Sequence, residues 1–124
     1  MKMRTLFIIN AVIQFFFGVG FMFAPTILLG LFGTQTDVTG ITLAHVAGGV
    51  ILSLAIISWL GKDAEGAGQD AIAWGGVFIA HAQAGIYTLL AILSGTFNAL
   101  AWSAVIMDVL FVAAFFWVRS NKAK

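Results

Sequence analysis

Four long apolar stretches dominate this sequence and leave little room for a fold that water surrounds. They cover residues 6–24, 41–60, 71–93 and 97–118. Each holds about the 20 residues that an α-helix needs to cross the hydrocarbon core of a bilayer. Charged residues make up only 9% of the chain, against about 25% in an ordinary soluble domain. The pattern therefore predicts an integral membrane protein.

The membrane environment also decides the fold class. Lipid offers no partners for backbone hydrogen bonds, so only helices and closed barrels cross it. Barrel strands would alternate in polarity over about ten residues, whereas runs such as residues 50–52 and 112–117 are apolar without alternation. We expect an all-α fold, a four-transmembrane-helix bundle forming one domain over residues 1–124, with a short interfacial helix at residues 25–33. The polar residues Thr34, Gln35, Thr36 and Asp37 precede the second span and can cap it, and Asp70 is expected to cap the third.

Orientation follows from the basic residues, which all lie on one side of the predicted bundle. They occupy the two chain ends and the connection between the second and third spans: Lys2, Arg4, Lys62, Arg119, Lys122 and Lys124. Basic loops stay in the cytoplasm, so both termini are expected there, with the chain in the cell (inner) membrane. No basic face is present that would bind nucleic acid, and the absence of Cys excludes disulfides and Cys-ligated metals.

Three of the predicted spans carry a polar residue near mid-depth. At a rise of 1.5 Å per residue, His81 and Asp108 lie about 15 Å from the cytoplasmic edge and Gln14 about 12 Å from it. Asn10 shares a helix face with Gln14, one turn away. An ionised Asp at this depth costs about 2.5–3.5 kcal/mol on the insertion scale, so Asp108 should be protonated or paired. The short hairpin between spans three and four makes His81 its easiest partner, with one proton shared between them.

This midplane cluster has two interpretations. It is either a protonatable centre that serves transport or ligand binding, or a set of interhelical hydrogen bonds that only fixes which helices meet. His45 lies one turn inside the outer edge and differs from His81 in depth by about 10 Å, so one metal ion bound by both is not expected. We predict no metal, cofactor or catalytic site. His45 and the Gln83–Tyr87 face of span three are candidates to face a ligand.

Small residues recur at helical spacing on two spans. Gly48 continues from Ala44 on span two, and Gly76, Ala80 and Ala84 form a stripe on span three. Such stripes let helix backbones approach closely. They predict either packing within the bundle or a contact between copies of the chain.

Two resemblances follow from these motifs. The opening FGVGFMFAP at residues 17–25, running into LLGLFG at residues 28–33, resembles small four-span bacterial proteins of unassigned function, as does LAHVAGG at residues 43–49. This resemblance implies a four-helix bundle in a bacterial or archaeal membrane. Length and span number are also similar to those of the small multidrug resistance transporters. That family carries a Glu in its first span, where this chain has only Asn10 and Gln14 as polar candidates.

The function predicted first is that of a non-enzymatic accessory subunit or binding protein, acting as an oligomer or within a larger membrane complex. The alternative is a proton-coupled small-molecule transporter or channel that uses Asp108 and His81. A third hypothesis is a lipid or quinone binder with its ligand against His45 or the Gln83–Tyr87 face. Partners are expected to be the bilayer, further protein subunits and a lipid or other small hydrophobic ligand.

Overall fold

The computed structural model describes residues 1–122, and Lys124 of the basic set lies outside them. Its helices are α1 (Met3–Phe23), α2 (Pro25–Leu31), α3 (Val38–Leu60), α4 (Gly66–Leu93) and α5 (Trp102–Lys122). α1, α3, α4 and the last helical segment are each long and apolar enough to cross a membrane. The all-α bundle of four spans, with a short helix after the first, is confirmed.

Local sequence explains where these helices begin and end. Pro25 lacks a backbone N–H, so it ends α1 and occupies the first position of α2, where that donor is not needed. Gly33 follows α2 with a φ of +77°, a backbone conformation that favours glycine. The Asp37 side chain accepts a 2.8 Å hydrogen bond from the Gly40 N–H, which confirms the predicted cap of α3.

The expectation for Asp70 is wrong. Helix α4 begins at Gly66, with Glu65 as the flanking residue, so Asp70 lies inside the first turns rather than before them. Its carboxylate instead accepts a 3.1 Å hydrogen bond from the Arg119 guanidinium. A second ion pair, Arg4 to Asp63 at 2.7 Å, joins the start of α1 to the turn after α3. Both pairs lie at the end of the bundle that carries Lys2, Arg4, Lys62 and Arg119, called the basic end here.

The spans form two antiparallel pairs, α1 with α3 and α4 with α5. Glycines close the first pair. A Cβ placed on Gly18 would lie 2.7 Å from the Leu52 backbone nitrogen, and one placed on Gly48 would overlap the Met22 backbone. The two helix backbones therefore touch, as small residues allow in membranes.

The two pairs meet at the basic end, where the main hydrophobic core lies. Its buried side chains come from α1, α4 and α5: Met3, Leu6, Phe7, Ala73, Val77, Phe111, Phe115 and Val118. Trp74 and Phe78 pack beside it and contact each other and the core residue Phe115, edge to face or tilted, with ring centroids 4.9–5.3 Å apart. Such aromatic contacts add to the area that is buried.

The pairs separate towards the opposite end. Residues Ala73–Ile79 of α4 form a π-helix, in which each hydrogen bond spans one residue more than in an α-helix. Gly76 in this segment faces Ser58 of α3, and beyond it the backbones of α3 and α4 have almost no contact. At the opposite end, the Asn98 backbone N–H donates to Phe32 O at 2.8 Å. The Phe32 and Phe97 rings stack there, 5.5 Å apart.

Candidate functional site

The four polar residues of the predicted midplane cluster are buried and lie together. His81 Nδ1 is 2.7 Å from Asp108 Oδ1, and His81 Nε2 is 2.7 Å from Asn10 Oδ1. The Asn10 amide nitrogen donates to Ser58 Oγ at 2.9 Å and to the Gly76 carbonyl at 3.0 Å. Gln14 donates to the same carbonyl at 3.2 Å. The cluster thus links all four membrane-spanning helices through side chains buried in the bundle.

The hydrogen bonds fix where the protons of this cluster lie. The Gly76 carbonyl can only accept, so the NH₂ group of Asn10 must face it and Oδ1 must face His81. Oδ1 can also only accept, so His81 Nε2 carries a hydrogen and donates it. The tautomer of a neutral His81 is therefore assigned by its neighbours, with Nδ1 left to interact with Asp108.

The contact between His81 and Asp108 requires a proton. If Nδ1 and the carboxylate oxygen were both unprotonated, two acceptors would face each other at 2.7 Å. The proton belongs either to the carboxyl group, beside a neutral imidazole, or to the imidazole, beside a carboxylate. In both cases the pair has no net charge, which suits its position among apolar helices. Phe111 stacks on the imidazole with ring centroids 4.1 Å apart and so holds the ring in place.

One polar atom of the cluster is left over. Gln14 is 6% exposed. Among the buried side-chain oxygen and nitrogen atoms of the described residues, Gln14 Oε1 is the one without a hydrogen-bond partner. An unsatisfied buried carbonyl costs about 1–3 kcal/mol. Native structures contain few such atoms, and each of them calls for a physical reason.

A cavity of about 530 Å³ lies directly beside this cluster, between the two helix pairs. Gln14, His81 and Asp108 line its inner end, towards the basic end of the bundle. The stacked pair Phe32 and Phe97 lines it as well, next to α2 and the turn before α5. The remaining walls are mostly apolar and come from every span: Ile13, Phe17, Phe21, Ala47, Val50, Ile51, Leu54, Ile79, Ala80, Ala84, Ala104 and Met107.

The cavity opens sideways through the gap between α3 and α4. Ala47 and Val50 on α3, and Ile79 and Gln83 on α4, line the cavity and are also exposed at the protein surface. These residues belong to the middle of membrane-spanning helices. The opening therefore faces the hydrocarbon region rather than water at either end.

The small residues of span three have two different environments. Gly76 faces Ser58 of α3. A Cβ placed on Gly76 would lie 3.4 Å from Ser58 Oγ. Ala80 and Ala84 instead line the cavity, and Thr88 continues their row. Their short side chains leave the space open that larger ones would fill. Gly48 of span two packs against the α1 backbone.

The structure separates the three residues suggested as facing a ligand. Gln83 lines the cavity at its opening. Tyr87 is 69% exposed and lies outside the cavity, because Thr88 and not Tyr87 follows Ala84 on the inner face of α4. His45 also lies outside it, with Nδ1 2.6 Å from the Met22 carbonyl, to which it donates.

Sequence reasoning missed Ser58, the π-helix and the cavity. Ser58 lies about 3 Å, and Asn10 about 6 Å, from the predicted cytoplasmic edge of its span, and this similarity in depth was the available signal. The described residues contain no group of three or more His, Asp or Glu side chains placed to hold a metal ion. Both ring nitrogens of His81 are already hydrogen-bonded, so a metal ion would have to displace Asn10 or Asp108.

The geometry defines the class: an all-α membrane protein of four spans, whose two helix pairs share a polar cluster and enclose a cavity open to lipid. Comparison with protein-family models, with curated proteins and with solved structures finds no match for this chain. The resemblances noted from the sequence therefore stay predictions.

Proposed function

We propose that this chain is a non-enzymatic membrane protein that binds a small hydrophobic molecule dissolved in the bilayer. The observation that carries the proposal is the 530 Å³ cavity, which is walled by apolar side chains and opens between α3 and α4. Its volume falls within the roughly 300–1,000 Å³ that is typical of small-molecule sites. The proposal combines two hypotheses from the sequence, the non-enzymatic binding protein and the binder of a lipid-like ligand.

The route of access supports a ligand that comes from the membrane. A water-soluble molecule would need a path from one end of the bundle. Here the core of Phe7, Phe115 and Val118 fills the basic end, and the Phe32–Phe97 pair lies at the other. The opening between α3 and α4 meets the hydrocarbon region instead. A molecule already dissolved in lipid reaches it without leaving its solvent.

The composition of the walls supports the same class of ligand. Binding sites for small molecules combine apolar walls with a few placed polar groups that orient the ligand. In this cavity the three buried polar residues Gln14, His81 and Asp108 lie together at the inner end, and the other polar lining residues, Gln83 and Thr88, lie apart from them along α4. A ligand with one polar head and an apolar body fits this division, with its head inward and its body along the gap.

Native mass spectrometry of the gently extracted protein tests the proposal. The unaltered chain should retain a small apolar molecule, and the same spectrum reports the number of chains in the particle. Ala84→Phe fills the cavity from α4 and should abolish the bound mass. Ala113→Phe, at an exposed position of α5 outside the cavity, is the matched control and should retain it. Equal retention by the two variants would contradict binding in the cavity.

A second candidate, the proton-coupled transporter, is favoured by the position of the His81–Asp108 pair. The pair holds an exchangeable proton and lines the cavity. A pH gradient across liposomes that contain the purified chain should then drive proton flux, and Asp108→Asn should abolish it. Flux that is equal in the unaltered chain, in Asp108→Asn and in protein-free liposomes would exclude this candidate.

The proposal includes a place and an orientation. We expect the chain in the cell (inner) membrane, with the basic end in the cytoplasm, because Lys and Arg loops are retained there. The chain lacks Cys, so the single substitutions Ala67→Cys, in the first turn of α4, and Thr96→Cys, in the turn before α5, can report on which side each end of the bundle lies. A membrane-impermeant maleimide added to intact cells should label Thr96→Cys and leave Ala67→Cys unlabelled. Oligomer formation and an accessory role in a larger complex stay predictions that the native mass spectrum also tests.

A further inference from the structure

The side chain of Gln83 is exposed on α4 in the middle of a membrane-spanning helix. Within the described part of the chain its amide forms no hydrogen bond. Gln83 lies about 15 Å along the helix from Leu93, where α4 ends, so its side chain does not reach the head groups. Hydrocarbon offers no hydrogen-bond partner at this depth. Neither the chain nor the surrounding lipid therefore satisfies this amide.

Exposed hydroxyl groups of α3 show how a polar side chain can be satisfied in the same surroundings. Thr42 Oγ1 donates to the Val38 carbonyl at 2.8 Å, and Ser53 Oγ donates to the Gly49 carbonyl at 2.9 Å. Each hydroxyl reaches the carbonyl four residues earlier in its own helix. Gln83 makes no such bond to α4. Its exposure to lipid is thus not explained by the single chain.

The residues around Gln83 have the spacing of a helix–helix contact. The exposed side chains that recur at intervals of four, three and four residues are Ile79, Gln83, Ile86 and Leu90. These intervals keep one stripe of a helix turned towards one partner along its length, as at the a and d positions of a left-handed helix pair. A single polar residue within such a stripe fixes the register and the number of partners. Ala84, which faces the cavity, lies outside the stripe.

We propose that this stripe of α4, called the Gln83 seam, binds the same stripe of a second copy of the chain in a parallel two-fold dimer. Copies that insert with the basic end on one side of the membrane are parallel to each other. A two-fold axis then brings the same surface of both copies together, with each residue at equal depth. An amide has donors and an acceptor, so the two Gln83 side chains satisfy each other.

Other occupants fit the Gln83 seam less well. Lipid head groups lie outside the hydrocarbon core, far from the depth of Gln83. A ligand in the cavity can reach Gln83, but it leaves Ile86 and Leu90 unexplained, because these residues lie outside the cavity. A different protein would have to present a polar group at the same depth. A second copy meets that condition by symmetry.

Disulfide cross-linking in membranes that hold the complete chain tests the position of the seam. The chain lacks Cys, so single-Cys variants report one position each. Ile86→Cys and Leu90→Cys should form linked dimers with a membrane-permeant oxidant, since a disulfide needs Cα atoms within about 7 Å. Ile106→Cys, at an exposed position of α5, is the matched control and should stay unlinked. Equal linking at all three positions, or none at Ile86 and Leu90, would overturn the proposal.

Energy transfer between donor- and acceptor-labelled chains in liposomes tests the role of the amide, with the labels on Thr96→Cys. Gln83→Leu keeps the size of the side chain and removes the amide. It should raise the dissociation constant of the dimer about three- to tenfold, the usual effect of one or two interhelical hydrogen bonds. Gln83→Asn keeps an amide and should dimerise more tightly than Gln83→Leu. An unchanged constant in Gln83→Leu would contradict pairing of the two amides.

The inference does not depend on the proposed ligand binding. The cavity lies within one chain, and Ile79 and Gln83 border its opening on the α4 side. The second copy would therefore lie beside the opening. A chain that stays monomeric in liposomes would overturn the dimer and leave ligand binding intact. A dimer that retains no ligand would overturn the proposed function and leave the Gln83 seam intact.

Discussion

The α1–α3 seam and the α3–α4 seam are built from the same kind of residue and have opposite structures. Gly18 and Gly48 bring the backbones of α1 and α3 into contact. Ala80, Ala84 and Thr88 line α4 with equally short side chains, yet α3 stands away from them and a cavity remains. A stripe of small residues therefore indicates a smooth surface, and whether another helix or a ligand covers it is a separate question.

The polar cluster explains why the second seam opens. Asn10 and Gln14 of α1 bond to the Gly76 carbonyl of α4, and Ser58 of α3 bonds to Asn10. These contacts hold the pairs together near the basic end. Beyond them, Asn98 ties the turn before α5 to the end of α2. The two pairs are thus joined at two levels, with the cavity between those levels.

The largest effect is expected where the closed seam is forced apart. Gly48→Leu places a side chain against the Met22 backbone, so α1 and α3 must separate. Overpacking of this kind costs about 3 kcal/mol or more. Gly49→Leu is the matched control, because apart from the adjoining backbone of its own helix no atom lies within 4 Å of its Cβ position. Steric trapping in bicelles measures both free energies of unfolding. Equal losses would show that the seam is not closed as described.

The next largest effect is expected at the polar cluster. Asp108→Leu leaves His81 Nδ1 without its partner and should lower the free energy of unfolding by about 1–3 kcal/mol. Asp108→Asn keeps the shape and can donate to Nδ1 from its amide, so its loss should stay near 0.6 kcal/mol, the usual value for such bonds in membranes. The same steric-trapping measurement applies. A loss for Asp108→Asn as large as for Asp108→Leu would mean that the shared proton itself holds the cluster.

A small effect on stability is expected where the open seam is filled. Ala84→Phe enters space that the cavity already provides, so the free energy of unfolding without ligand should change by less than about 1 kcal/mol. Together, Ala84→Phe and Gly48→Leu compare the effect of adding a large side chain at an open seam and at a closed seam. A loss near 3 kcal/mol for Ala84→Phe would mean that α3 and α4 close on each other in the membrane.

The smallest effect is expected at the basic end. Asp70 pairs with Arg119, and both side chains are partly exposed, at 51% and 35%. Exposed ion pairs contribute about 0–1 kcal/mol, and Arg119 keeps its contact with the Trp74 ring, 5.3 Å from the ring centroid, without the carboxylate. Asp70→Asn should therefore change the midpoint of thermal unfolding in detergent by no more than the measurement error. A clear decrease would indicate that the pair helps to hold α4 against α5.

Periodicity and depth together predicted much of the candidate site. Equal depth on neighbouring spans brought His81 and Asp108 into one hypothesis, and they lie 2.7 Å apart. The same reasoning could not find the space beside them. A cavity is a gap between helices. It depends on the angle at which two helices cross and on the distance between them, and the sequence of one helix does not contain that information. The π-segment Ala73–Ile79 was invisible for a similar reason, since its apolar composition suits an α-helix equally well.

The sequence alone determined that the chain spans a membrane as four helices, because lipid accepts only long apolar segments with internal backbone hydrogen bonds. It also determined which polar groups lie at mid-depth, since a helix advances a constant distance per residue. The tertiary structure decided which small-residue stripe is packed and which is open. It also left Gln14 Oε1 unpaired beside a cavity. Those features depend on how far two helices stand apart, and that distance is set by contacts made elsewhere in the bundle.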